Sequence, residues 1–163
     1  MDDSLINPKR ISAYQHWIER FPVRAGSYAL ILQNQNEKTI QAGGAGSFVF
    51  KKGLYVYFGS AKGPGGIRAR VTRHLRLEKK LHWHVDYLIR SMPVVAVGWR
   101  IAEERYECLW SRRAVEQWGA EVPALGLGAS DCREKCPAHL LYLSGGEEDL
   151  AYLWQEMEIW KLG

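Results

Sequence analysis

Two groups of side chains in this 163-residue sequence have the types and spacing for chemistry. The first begins at Tyr57-Phe58-Gly59-Ser60, passes through the flexible turn Lys62-Gly63-Pro64-Gly65-Gly66 and enters a segment carrying Arg70 and His74. Upstream, Gly26-Ser27-Tyr28 opens an apolar run. Such a set suits phosphate: arginine offers a planar, two-pronged donor, and the amides of a glycine turn that opens a helix favour an anion. A phenol, with a pKa of ~10, becomes an effective base only where a cation or metal lowers it. Taken singly, each residue has a plainer role. Tyr55 and Tyr57 alternate with Val56 and Phe58 as sheet-packing aromatics do, Arg70 suits a surface, His74 a cap or a core, and the glycines a tight turn. Their joint occurrence in one order favours the functional reading.

The second group is Cys132, Cys136 and His139, with Cys108 upstream. Thiolates and an imidazole make a tetrahedral zinc set. The C-x3-C-x2-H spacing is nevertheless not one of the strong zinc patterns, and the usual second pair is missing, so three free cysteines are the preferred reading over zinc. A nucleophilic cysteine near His139 and Asp131 is a weaker reading still. His82, His84 and Asp86 also invite a metal. On a helix His82 and Asp86 share a face while His84 points elsewhere, so these three are expected as capping and surface residues along a nucleic-acid groove.

These residues need elements to position them. Ser12 and Gln15 resemble a capping box, and Tyr14, Trp17, Ile18 and Phe21 recur at helical spacing, which predicts a helix over roughly 12–21. SYALILQ is a strand and KTIQAGG a weaker one, and SFVFKKGLYVYFGSA holds two more, so a small antiparallel sheet ending at YVYFG is expected. Ile67, Val71 and Leu75 form one apolar helical stripe, with Arg70 and His74 on a neighbouring stripe. Val85, Leu88, Ile89 and Met92 predict another helix, VVAVGWRIA a buried strand, and Glu103–Trp118 an amphipathic helix. A turn-rich stretch leads to the strand HLLYL, and Ser144 with Glu147 opens a C-terminal helix expected over about 146–161. The order predicts an α+β fold in one domain, residues 1–163, with a small mixed or antiparallel sheet flanked by helices and helical extensions at both ends.

Composition narrows the class. Hydrophobic residues make up 47% and charged residues 25%, which excludes a disordered chain, a collagen-like fibre and a coiled-coil rod. No apolar run approaches the ~20 residues of a membrane helix. The first fifteen residues have no signal-peptide core, and three cysteines argue against a disulfide framework, so a cytoplasmic protein is expected. The net charge of +4 is unevenly placed: residues 51–90 hold ten Lys and Arg against two acids, a net of +8, leaving −4 elsewhere. A concentrated positive segment suits a polyanion, because phosphate neutralisation supplies most non-specific nucleic-acid affinity. A solvated basic helix face explains the same charge equally well.

The order Gly26-Ser27-Tyr28, Tyr57-Phe58-Gly59, Arg70, His74 resembles the GIY-YIG nuclease superfamily. YVYFGSAKGPGGIRARVTRH, KKLHWHVDYL, ECLW and SDC followed by CPAHLLYL are similar to a GIY-YIG-related domain of unknown function, sometimes fused to endonuclease III-type repair glycosylases. The likeness spans roughly residues 24–143. It implies phosphodiester hydrolysis on DNA assisted by Mg²⁺ or Mn²⁺, in a repair setting and with a glycosylase as a candidate partner. Tyr28 would be the base or water-orienting group, Tyr57 its partner and Arg70 the phosphate holder, with His74 beside it. Glu107 would bind the metal, with Glu103, Glu104 and Glu116 as competitors. Lys62, Arg68, Arg73, Arg76, Lys79 and Lys80 would meet the phosphate backbone. A non-catalytic nucleic-acid-binding module of the same fold is the alternative. A protein built around zinc at Cys108, Cys132, Cys136 and His139, or around its thiols, is the third.

Overall fold

A computed structural model describes residues 14–76 and 78–162. The fold is α+β. Its centre is a five-stranded antiparallel sheet in the order β6-β4-β1-β5-β7, made of β1 (Gly26–Asn34), β4 (Gly53–Ala61), β5 (Val94–Ile101), β6 (Leu140–Leu143) and β7 (Glu158–Lys161). The hairpin of β2 (Lys38–Gln41) and β3 (Ser47–Phe50) stands apart as a two-stranded sheet. The single sheet expected from 27–58 is therefore corrected. β1 pairs directly with β4, and the intervening residues are set aside as a ribbon whose strands bury little besides Ile40 and Phe50.

The period-2 alternation of side chains divides the core. Tyr28, Leu30 and Leu32 of β1, with Tyr55 and Tyr57 of β4, face the helices α1 (Gly66–Leu75) and α2 (His84–Ile89). Ala29 and Ile31, with Leu54, Val56 and Phe58, face α3 (Glu107–Gln117) and α4 (Glu147–Glu156). The α1 stripe of Ile67, Val71 and Leu75 is buried as its spacing requires, and so are Val85, Leu88, Ile89 and Met92 around α2. α3 starts at Glu107, four residues later than its periodicity suggested.

The chain ends differ from expectation in detail. Residues 14–18 are helical, and Tyr14 donates to the Val94 carbonyl at 3.0 Å; Ser12, the expected cap, lies outside the described residues. At the other end, the helix expected over 146–161 stops at Glu156. Leu150 and Leu153 are its buried turns, and Glu158–Lys161 extends the sheet by pairing with Ala96–Trp99 of β5. Edge pairing satisfies backbone groups of β5 that a longer helix would leave open. No helix among the described residues is long and apolar enough to cross a membrane.

Candidate functional site

Tyr28 is the third residue of β1, and the glycine opposite it, Gly59, leaves room for its ring; a Cβ on Gly59 would fall 2.5 Å from the Tyr28 hydroxyl. The phenol reaches α1 and donates to His74 Nε2 at 2.8 Å. The other imidazole nitrogen, Nδ1, lies 3.0 Å from Asp86 Oδ1 on α2. With Asp86 ionised, Nδ1 carries the proton and Nε2 accepts from Tyr28, giving a Tyr28–His74–Asp86 chain. Tyr57 completes the cluster, its ring centroid 6.3 Å from Tyr28 and 5.8 Å from His74. All four side chains are buried.

Burial sets the charges. It raises the Tyr28 phenol well above its ordinary value, with Tyr57 adding to the rise against an opposing Arg70, so the hydroxyl is a neutral donor. Burial likewise raises Tyr57, with Asp131 adding to it. Burial lowers His74 to about 4 despite Asp86, because the carboxylate is already matched by cations and Lys79 and Arg70 act against the imidazolium. For Asp86, burial acts upward but is overridden by His74, Lys79 and Arg73, which hold the carboxyl well below its usual range. Its oxygens lie 3.0 Å from Arg73 and 3.4 Å from Lys79. Asp86 also accepts the backbone N–H groups of His82 and Trp83 at 3.2 and 3.1 Å, capping α2.

A cleft of about 230 Å³ opens beside this cluster, lined by Gly63, Pro64, Gly66, Arg70, Arg73 and Trp83, with Ala61 and Ala69. Arg70 and Arg73 lie over the Trp83 ring at 4.6 and 4.3 Å. Arg73 is committed to Asp86, whereas Arg70 makes no ion pair among the described residues. The first amides of α1 are not available to an anion, contrary to the expectation for the glycine turn. Ile67 N–H donates to Arg24 and Arg68 N–H to Pro22, both at 2.9 Å.

Of the remaining basic candidates, Lys62, Arg68 and Lys79 are occupied by contacts within the chain. Lys62 holds the carbonyls of Ala102, Glu103 and Glu104. Arg68 donates to the Phe21 and Glu19 carbonyls at 2.8 and 2.6 Å. Lys79 is turned inward to the His74 carbonyl and Asp86. Arg76 shares a second hollow with Glu19 and Glu78, and Lys80 is exposed.

Glu107 lies on the other side of the sheet. Its carboxylate accepts from Ser60, which is in contact with Ser27 at 3.3 Å. Both serines alternate with the tyrosines and so point toward α3. The residues present therefore do not fit one Mg²⁺ or Mn²⁺ site shared by Glu107, Tyr28 and Tyr57.

That same face carries the sulfur cluster. The ligand atoms of Cys108, Cys132, Cys136 and His139 all lie within 4.8 Å of one another, an arrangement able to hold a metal such as zinc. Cys108 Sγ is 3.5 Å from Cys132 Sγ and 3.6 Å from His139 Nε2. The sequence spacing undervalued this group because Cys108 enters from α3, 24 residues before Cys132.

Asp86 and Trp83 join the site against the expectation from the sequence. Asp86 was expected at a surface and is fully buried, while its capping role holds. His84 accepts from the Gly128 N–H at 3.0 Å. The HWHVD run contained the signal, but only packing of α2 on α1 turns Asp86 toward His74.

No curated protein and no solved structure matches the chain. The family model described as "Domain of unknown function DUF123" matches residues 27–160, which includes the Tyr28–His74–Asp86 chain, the Arg70 cleft and the sulfur cluster. The chain belongs to the DUF123 family.

Proposed function

We propose that the protein binds the phosphate backbone of nucleic acid in the cleft between the Gly63–Gly66 turn, α1 and Trp83. The observation that carries this reading is Arg70, a guanidinium at the cleft held over an aromatic ring and without a carboxylate partner among the described residues. Stacking on Trp83 fixes the plane of the guanidinium, which favours two-pronged contact with phosphate oxygens. The net +8 of residues 51–90 adds long-range attraction.

Hydrolysis is the second reading, and the Tyr28–His74–Asp86 chain favours it. Transfer of the phenolic proton to His74 Nε2 would leave an imidazolium paired with Asp86 and a phenolate; burial opposes that transfer in the free protein, so it requires a cation that lowers the phenol. Dependence on Mg²⁺ or Mn²⁺, a repair setting and a glycosylase partner belong to the GIY-YIG resemblance, and the resemblance alone supports them.

The test is fluorescence anisotropy with labelled single-stranded and duplex DNA over a salt series in EDTA, followed by cleavage assays with Mg²⁺ or Mn²⁺. Arg70→Ala is expected to weaken binding about tenfold or more, the scale of a charge-assisted phosphate contact. Replacing the exposed Lys52 serves as the charge control. Equal binding by wild type and Arg70→Ala would remove the reading. Cleavage lost in Tyr28→Phe with binding retained would promote hydrolysis over simple binding.

A further inference from the structure

The Cys108–Cys132–Cys136–His139 cluster is independent of the Arg70 cleft and stands on its own geometry. Between α3 and β6 lie 22 residues, 118–139, that form no helix or named strand. A connection of that length in a compact domain is ordinarily functional or disordered, yet Leu127, Ala129, Cys136 and Ala138 within it are buried. Backbone hydrogen bonds tie Glu121 to Tyr142 and Leu127 to His139 and Leu140, and the sulfur cluster gathers Cys132 and Cys136 from the same segment.

We propose that the cluster binds one zinc ion in a tetrahedral Cys3His site, and that this ion clamps the 118–139 segment to α3 and to the start of β6. Zinc–ligand bonds of about 2.3 Å to sulfur and 2.0–2.1 Å to nitrogen put sulfur atoms about 3.8 Å apart and sulfur and nitrogen about 3.5 Å apart. The observed 3.5 and 3.6 Å are close to these edges. A disulfide would need the sulfurs at about 2.0 Å. The ligand set has three thiols and an imidazole and no carboxylate, which selects a soft or borderline ion over magnesium or calcium.

The supporting contacts are in place. Lys135 adopts a left-handed conformation at φ 53°, uncommon for a residue other than glycine. This turn closes the Cys132–Cys136 loop, whose two sulfurs lie within 4.8 Å of each other. His139 is fixed through its backbone, donating to Leu127 and accepting from Phe58, each at 3.0 Å. The ring is thus delivered by the sheet rather than by a free loop. Binding releases the three thiol protons to solvent and changes no oxidation state. The clamp has a reach beyond the sulfurs. Gly128 packs its backbone on the Tyr57 ring and donates to His84, so the ion also holds the cover over the tyrosine cluster.

The full chain, purified without added metal, is expected to carry one zinc by elemental mass spectrometry. Exchange with Co²⁺ is expected to give tetrahedral d–d bands and thiolate-to-cobalt charge transfer. Cys136→Ser is expected to lose the metal; because that variant risks misfolding, His139→Cys is the second, expected to keep the metal and strengthen the charge transfer. Chelation is expected to raise hydrogen exchange across 118–139 while α1 is unchanged. Folded wild-type protein that is free of metal, or that contains a Cys108–Cys132 disulfide, would overturn the site. Unchanged exchange in 118–139 after metal removal would overturn the clamp.

Discussion

At the scale of single residues, Asp86 has more partners than any other side chain described here, and each answers a different problem. His74 needs a fixed tautomer, Arg73 and Lys79 need a counter-charge, and α2 needs a cap. Asp86→Asn keeps the shape and leaves the mostly buried Lys79 uncompensated. It is expected to destabilise by about 3–5 kcal/mol in urea denaturation, as removal of one member of a buried ion pair does. Tyr28→Phe removes one donor and strands His74 Nε2, a smaller loss of about 1–3 kcal/mol in the same measurement. Tyr28, Tyr57, Arg70 and His74 were legible as candidates, because residue types and order travel with the sequence. Their ionisation was not, because burial is what raises the phenols and lowers the imidazole.

At the scale of elements, the Gly63–Gly66 turn is the joint that aims α1. Gly66 has φ +58°, and a Cβ there would lie 2.2 Å from the Arg24 carbonyl oxygen. Gly66→Ala is expected to lower the urea midpoint, with about 1–2 kcal/mol from the left-handed backbone alone and a further loss from the Arg24 clash. The measurement also reads α1, since a tilted helix would pull His74 away from Tyr28. Helical spacing in α1 and α2 was plain from the apolar stripes, which burial then satisfied. The C-terminal element was plain only in part: Leu150 and Leu153 carry a helical period, but pairing with β5 takes over at Glu158.

At the scale of the whole molecule, the sheet is a partition. It places the tyrosine–histidine–aspartate chain on the α1 face and Glu107 with the sulfur cluster on the α3 face. Acid stability reports the first of these faces most strongly, because His74 has the large shift, while burial also lowers His84 and His139. His74 has an ordinary pKa of 6.5 and a folded value of about 4. Between those values the unfolded chain holds the proton and the folded chain does not, so acidification favours unfolding. Stability is expected to be full above pH 6.5 and to fall by about 3 kcal/mol toward pH 4. Asp86, held below its ordinary 3.8, adds its own loss only at lower pH. Urea midpoints measured across this range check the first window, and His74→Gln is expected to shrink it to the smaller parts that His84 and His139 contribute.

Local matters are written in the order of residues alone: strand and helix periods, the glycine turn, the identity of the chemically able residues and the concentration of charge in 51–90. These follow from side-chain type and near-neighbour spacing, which do not depend on the rest of the chain. Tertiary structure decided which of those residues meet. Register on β1 and β4 put Tyr28 and Ser60 on opposite faces, packing of α2 on α1 drew Asp86 to His74, and α3 brought Cys108 to a loop two dozen residues away. Proximity of that kind arises from long-range burial and pairing, and linear spacing carries no measure of it.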